Sequence, residues 1–395
     1  MSSRSLARLI ACSSVVAIAA PVGAQNATAG FVVTLGNDTT SVEQFTRTSS
    51  SLTGDVVTRQ GGTAIAHYVV MLNASGAPTK LDITYQKFGG GVPANGVKSV
   101  SATYGPDSTI IVIMRDTAIT RRFAVKDPYP MVGGLAPSLG LFELSLSRIR
   151  ATKMDTLSIA ALAPGAAAAP RLMTGVKFYG ADSARIWTQG YVQYARVDAT
   201  GRLLGLSGRE TTQKIETRRL PALDVQKLAA GFAAGEAQGK AMTTVASSAK
   251  DSVKATVGSA QISIVYFRPT ARGRDVFTNG VLGDTLWRTG ANDATMFTTS
   301  SDLVVAGKTV PAGSYTLWTS VPRDNSHYEL VINKQTKQWG TVYDQAQDLV
   351  RVPLSVGKRS SPMEAFQISV EPSANGGALK LSWAGTDLSV PITSK

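Results

Sequence analysis

At 395 residues the chain is longer than one hydrophobic core usually organises, so two domains are expected. Apolar residues at 43% and charged residues at 17% describe a folded protein, not a disordered one. The formal charge of +13 is spread out, with no basic run longer than a pair such as Arg121 and Arg122 or Arg218 and Arg219, which speaks against a nucleic-acid reader and for a generally cationic surface.

The first residues have the form of a secretory signal. Arg4 and Arg8 precede the apolar run LIACSSVVAIAA, and PVGA ends in small residues at Ala24. Cleavage after Ala24 would lower the charge to +11 and remove Cys12, the single cysteine. A lipoprotein signal ending at Cys12 is the rival, but most of the apolar run lies beyond that cysteine. The mature chain would have neither a disulfide nor a thiol nucleophile, and no later apolar run is long enough to anchor it in a membrane. Localisation in the periplasm or outside the cell is expected.

From Phe31 to Leu220 the sequence reads as strands at short intervals, among them FVVTLGND, GDVVTRQG, AIAHYVVML, KLDITYQKF and TIIVIMRD. NASGAP, GPDS and DATG between such runs are turn chemistry. An antiparallel meander curled over a core, a half-barrel, is expected for residues 25–245. Two helices interrupt it, LFELSLSRIR at 141–150 and LDVQKLAAGFAAGEAQGKAM at 223–242, with the small-residue loop APGAAAAP at 163–170 between them. TTVASSAKDS at 243–252 is small and polar and marks a domain boundary. After it, strands resume in residues 246–395. In ALKLSW, Leu379, Leu381 and Trp383 share one face while Lys380 and Ser382 share the other, a pattern that suits a β-sandwich.

Inventory removes most reaction centres. His67 and His327 are the two histidines, in no metal-ligand spacing, and His327 reads as a solvated surface residue. APSLG around Ser138 is a degenerate nucleophile elbow, more simply the N-cap of the first helix, and GGG at 89–91 lacks the lysine and helix of a phosphate cradle. Neither a metal nor an organic cofactor is expected.

The C-terminal region carries more specific signals: YFRPTARGR at 266–274, WRTGANDAT at 287–295, AGKTVPAGSYTLW at 306–318, Asn333 with Lys334, WG at 339–340 and YDQAQDLVRV at 343–352. In that order they resemble the bacterial domain of unknown function 2911 family across about residues 246–393. The resemblance implies a secreted or envelope β-domain without an established activity, and Asp293 stands where that family usually has Glu. By pattern alone, the N-terminal half resembles the half-barrels of envelope lipoprotein carriers, which have a helix in the mouth.

Read from the residues, these motifs share a charge logic. Tyr266 and Arg268 project from one strand face, Gly290 in TGAN can take a positive φ, Asn292 can bond local backbone, and a helical turn would align Asp344, Asp348 and Arg351. If Arg268, Arg274, Arg288, Asp293, Asp348 and Arg351 neutralise one another, they form a structural network. If one stays open beside Trp287 or Trp339, then Arg268, Arg274, Trp287, Arg288, Asn292, Asp293, Trp339 and Arg351 form a site for an anionic or glycan ligand of the envelope. A hydrolase of envelope glycans would use Asp293 and Asp348 as acid and base, and an apolar-ligand carrier would use the N-terminal domain. Non-catalytic binding by the C-terminal domain is the leading functional expectation, whereas Trp318 and Trp383, set in strands, are expected in the core.

Overall fold

The computed structural model describes residues 27–59, 61–93, 96–124, 129–130, 138–162, 171–188, 191–209, 214–240, 248–274, 276–277, 282, 285–322, 327–373 and 376–395. Residues 1–24, expected to be a signal segment, and the stretch 163–170, expected to be a loop, lie outside them. As expected, the chain is mainly β, with two α-helices among the described residues.

The N-terminal strands are β1 (Ala27–Leu35), β2 (Asp38–Arg47), β3 (Ser51–Thr58), β4 (Ala64–Leu72), β5 (Pro78–Lys87), β6 (Ser99–Tyr104), β7 (Thr109–Met114), β8 (Ala118–Phe123), β9 (Tyr129–Pro130), β10 (Thr156–Leu162), β11 (Arg171–Tyr179), β12 (Ser183–Thr188), β13 (Tyr191–Val197), β14 (Leu203–Ser207) and β15 (Glu216–Leu220). They form one sheet in two arms. β1 to β8 run outward in sequence order, β15 back to β9 run outward the other way, and β1 joins β15 at the middle. β8 and β9 end the order without meeting, so the sheet is open, and every pairing except β9 with β10 is antiparallel. FVVTLGND is not one strand: Gly36, at φ +58°, turns the chain after Leu35, and β2 is a strand absent from the expected set. Its polar DTTSVEQFTR sequence conceals the alternation.

Helix α1 (Leu139–Ala151) fills the concave side of this sheet. Its buried Leu139, Leu141, Phe142, Leu144, Leu146 and Ile149 join Phe31, Phe45, Leu52 and Tyr68 in one core. Helix α2 (Val225–Gly235) lies on the opposite face, where Val225 and Ala229 pack with Val42, Val57 and Ile65. The expected helix at 223–242 is therefore shorter, passing into a π-turn at Glu236–Lys240 in which Gly239 is left-handed (φ +78°). Period-two geometry puts adjacent residues of β2 on opposite faces, so Val42 meets α2 while Phe45 meets α1.

The second sheet comprises β16 (Ala249–Val257), β17 (Ala260–Arg268), β18 (Thr285–Trp287), β19 (Thr295–Thr299), β20 (Leu303–Val305), β21 (Lys308–Val310), β22 (Gly313–Val321), β23 (Tyr328–Asn333), β24 (Asp348–Ser373) and β25 (Gly376–Ser394). The order is β16-β17-β19-β22-β23-β24-β25-β20-β21, with β18 beside β22. β24 and β25 are far longer than ordinary strands and bend where their register shifts. The bend returns β24 to the end of β17 through a bridge between Thr270 and Ala365, and the Phe366 N–H donates to the Pro269 carbonyl at 2.8 Å. The sheet thus curls around one core, with Tyr266, Trp287, Phe366 and Trp383 at its aromatic centre.

The two sheets meet at a close junction. The Asn37 N–H donates to the Arg272 carbonyl at 3.0 Å, and the buried Arg272 guanidinium pairs with Asp38. Gly36 and Gly273 permit the approach: a Cβ on Gly36 would stand 2.3 Å from the Arg272 carbonyl oxygen, and one on Gly273 2.0 Å from the Asn37 amide. No helix among the described residues is long and apolar enough to cross a membrane.

Candidate binding site

The C-terminal motifs meet over the outer side of β22 and β23. Trp318 and Val331 point outward from those strands and are buried beneath Leu286, Ala294 and Tyr343, forming a small second core. The segment after β18 and the segment before β24 form its cover.

The WRTGANDAT stretch begins with an inward turn. Trp287 is 6% exposed, stacks on Trp383 at 5.5 Å between centroids, and donates its indole N–H to the Gly290 carbonyl at 2.7 Å. It is a core residue, not the ligand platform expected from sequence. Thr289 and Asn292, not Gly290, take the left-handed conformation, at φ +51° and +56°. Gly290 is required for space instead, since a Cβ there would lie 2.9 Å from the Thr295 hydroxyl and 3.0 Å from the Phe267 carbonyl oxygen. The loop is tied down by the Thr295 hydroxyl donating to the Thr289 carbonyl (2.7 Å) and by a hydroxyl pair between Thr289 and Thr319 (2.8 Å).

Asn292 acts through its backbone. Its carbonyl accepts from Arg288 Nη1 at 2.9 Å and from the Gly340 N–H at 3.0 Å. With the Ala294 N–H donating to the Gln338 carbonyl at 3.1 Å, these bonds frame an antiparallel bridge between Asp293 and Trp339. Residues paired across such a bridge project their side chains to the same side, and their immediate neighbours project to the other. Asp293 and Trp339 are accordingly both exposed, with half of Trp339 open to solvent, whereas Ala294 and Gly340 lie inward and buried. Val342, also half exposed, extends the apolar surface beyond Trp339.

Arg288 lies beneath this bridge. A Cβ on Gly340 would fall 2.1 Å from Arg288 Cδ, so the glycine leaves room for the guanidinium stem. Arg288 is 9% exposed and has no carboxylate within ion-pair distance among the described residues. Burial pushes its pKa down to about 10, which leaves it charged at neutral pH.

The remaining charges do not converge on Asp293. Arg268 pairs with Asp251 at 3.4 Å and donates to the Phe366 carbonyl at 3.0 Å. Arg274 donates to the Ala271 and Thr270 carbonyls at 2.8 and 2.7 Å, and burial, with Arg272 close by, lowers its pKa. Arg351 pairs with Glu329 at 3.0 Å and with Asp348 at 3.1 Å. Asp348 also accepts from the Tyr343 hydroxyl at 2.6 Å and from Asn333 Nδ2 at 2.9 Å. Burial and that carboxylate push the Tyr343 pKa up to about 12. The expected helical turn is only the 3₁₀ segment Gln345–Gln347, capped by Asp344, and Asp348 already belongs to β24. Arg268, Arg274, Arg351 and Asp348 thus form separate structural ties, because each guanidinium has carbonyl or carboxylate acceptors of its own, and Asp293 is in none of them.

Sequence reasoning missed Glu43. It is 1% exposed on the concave face of the N-terminal sheet and accepts from Tyr68 Oη at 2.6 Å, Gly140 N at 3.0 Å, Ser138 Oγ at 3.2 Å and Leu139 N at 2.5 Å. Desolvation raises its pKa to about 7 against the opposing effect of these donors. Ser138 is the N-cap of α1 as expected, its Oγ 3.4 Å from Leu141 N, and its hydroxyl is engaged by Glu43 instead of by a histidine base. The available signal was parity: Glu43 falls in phase with Phe45 on β2. Glu143 on α1 is similarly buried, paired with Arg219 and bonded by Leu203 N at 2.8 Å.

Residues 248–392 match the family described as Protein of unknown function (DUF2911). No curated protein matches the chain. Among solved structures, it is similar to a DUF1089 family protein of Pseudomonas aeruginosa at 11% identity and a TM-score of 0.31, over 43% of this chain and 90% of that one. It is also similar to a β-barrel-like protein of domain of unknown function DUF1849 from Brucella abortus at 10% identity and a TM-score of 0.34, over 51% of this chain and 99% of that one.

Proposed function

We propose that the protein is a secreted or periplasmic, non-catalytic binder of an envelope glycan, with Trp339 and Asp293 as the contact pair. The observation that carries this reading is the bridge that presents both side chains to solvent on one side. An exposed indole ring offers a flat apolar face to the C–H surface of a sugar, and a carboxylate beside it accepts hydroxyl protons. The backbone of the pair needs little ordering on binding, because hydrogen bonds on both sides of the bridge already fix it.

Of the anionic and glycan ligands expected from sequence, the glycan is favoured. Arg268, Arg274 and Arg351 are occupied by other partners, Arg288 lies beneath the bridge, and the group beside Trp339 is itself an anion. Acid–base hydrolysis by Asp293 and Asp348 is disfavoured because Asp348 is already bonded to Tyr343, Asn333 and Arg351. The N-terminal carrier reading is disfavoured because α1 occupies the concave face.

The test is retention on immobilised oligosaccharides of envelope type, neutral and acidic, with the Trp339→Ala protein in parallel. Retention of the wild type on a neutral glycan and its loss in the variant are expected. Retention that ignores Trp339, or that requires an acidic glycan, would overturn the reading.

A further inference from the structure

The two arms of the N-terminal sheet differ on their outer faces. On β1 to β4 that face is covered by α2, and its charges are paired, Asp55 with His67 at 2.8 Å and, on β5, Asp82 with Lys80 at 2.8 Å. On the other arm, Val176, Phe178, Ala184, Ile186, Ala195 and Val197 belong to the inner core that α1 shares, so the residues alternating with them point outward. These are Lys177 and Tyr179 on β11, Arg185 and Trp187 on β12, and Tyr194 and Arg196 on β13. Arg218 of β15 faces the same way, because its neighbour Arg219 turns inward to Glu143.

The cations on this face are set against one another. Lys177 stands directly opposite Arg185, and Arg196 and Arg218 flank Gly205 from its two sides. Like charges directly opposed destabilise an antiparallel pair. No carboxylate offsets them: Lys177, Arg185, Arg196 and Arg218 form no ion pair with a described residue. Aromatic rings orient several of the cations instead, without cancelling the charge. Lys177 Nζ lies 5.1 Å from the centre of the Tyr179 ring, the Arg185 guanidinium 5.2 Å from that of Trp187, and the Arg209 guanidinium, just beyond β14, 4.4 Å from that of Tyr194. Trp187 lies against Gly175, where a Cβ would fall 2.1 Å from the indole. Glu216, bonded by the Ser207 hydroxyl at 2.6 Å, is the one carboxylate on β11 to β15. Asp182 and Asp198 sit at the rim, Asp198 paired with Arg202.

We propose that this outer face docks the protein on the surface of an anionic phospholipid bilayer. Its unpaired cations are spread over β11, β12, β13 and β15, across the sheet as well as along the strands, which matches a two-dimensional array of lipid phosphates better than the single line of a polyanion. Tyr179, 47% exposed, and Trp187 are of the side-chain types that settle at headgroup level. The face is on the other sheet from Trp339, so the two readings stand or fall separately.

Co-sedimentation of the chain from residue 25 onward, without the apolar leader, tests this with vesicles of phosphatidylcholine alone and of phosphatidylcholine mixed with phosphatidylglycerol. Binding to the mixed vesicles at low ionic strength, its release by salt and none to phosphatidylcholine alone are expected. Arg196→Gln with Arg218→Gln should bind at least tenfold more weakly at an unchanged unfolding midpoint, since both side chains are exposed. Arg121→Gln with Arg122→Gln on β8 removes the same charge elsewhere and should bind as wild type does. Lys177→Gln, on a different strand, should weaken binding in the same direction should the double variant fold poorly. No binding to the mixed vesicles, equal binding to phosphatidylcholine alone, or equal weakening in the β8 variant would overturn the proposal. So would retention of soluble polyglutamate that depends on Arg196 and Arg218 without any binding to vesicles, which would identify a polyanion site.

Discussion

Asp293 and Trp339 face each other across a single antiparallel bridge, and both side chains point to solvent while Gly340, next in the chain, lies buried over Arg288. One short pairing therefore separates two roles. Its outer side presents an aromatic ring and a carboxylate, and its inner side packs against an arginine stem.

The inner side predicts a steric effect on the outer one. Gly340→Ala would place a methyl group 2.1 Å from Arg288 Cδ and 2.5 Å from the Asn292 carbonyl oxygen. Overpacking of this kind costs about 1–3 kcal/mol. Thermal unfolding should show the loss, and adding Arg288→Ala should recover part of it, because one of the two overlaps disappears.

The two aspartates should behave differently. Asp348→Asn leaves Arg351 without one of its two carboxylates and weakens the bonds from Tyr343 and Asn333, a loss of about 1–3 kcal/mol. It should also bring the Tyr343 pKa down from about 12, visible in a spectrophotometric phenol titration. Asp293→Asn should leave the unfolding midpoint unchanged, because no ion pair of a described residue depends on it.

Glu43 predicts a pH dependence whose sign is opposite to that of a salt-bridged carboxylate. Its pKa is about 7 when folded, against an ordinary value of 4.5 for a solvated carboxylate, so the folded form binds the proton more tightly than the unfolded chain does. Its stabilising effect is then complete below pH 4.5 and is lost as the pH rises through 7, a change of about 3 kcal/mol. Glu143, also raised by burial, adds in the same direction. Urea unfolding at pH 5 and pH 8 should show wild type more stable at the lower pH by this contribution, and Glu43→Gln should lose most of the difference.

The junction between the sheets gives a further test. Gly36→Val combines a positive φ with a Cβ 2.3 Å from the Arg272 carbonyl oxygen, so the β1–β2 turn cannot keep its place against Arg272. Calorimetry should show the cores of the two sheets melting further apart in the variant than in wild type.

Strand alternation made the β-rich fold and much of its core legible. Trp318 and Trp383 are buried as their positions in apolar strands imply, and Ser138 caps α1 as its place before an apolar helical run implies. β2 was hidden because DTTSVEQFTR buries polar as well as apolar side chains. At the candidate site, sequence proximity was misleading. Trp287 and Arg288 adjoin Asp293 in the chain, but the left-handed turns at Thr289 and Asn292 send Trp287 into the core and Asp293 outward. The true neighbour of Asp293 is Trp339, 46 positions away, and only the pairing of two backbones brings them together. Arg268, Arg274 and Arg351 looked like one cluster because composition gives no information on which carbonyl or carboxylate each will meet in the fold.

The most direct test of the binding account is isothermal titration of the retained glycan into wild type, Trp339→Ala and Asp293→Asn, with the unfolding midpoint of each measured alongside. Binding at least tenfold weaker in both variants, with midpoints unchanged and no hydrolysis of the glycan by wild type, is the predicted result. Undiminished binding in the two variants, or lowered midpoints that account for the loss, would contradict it.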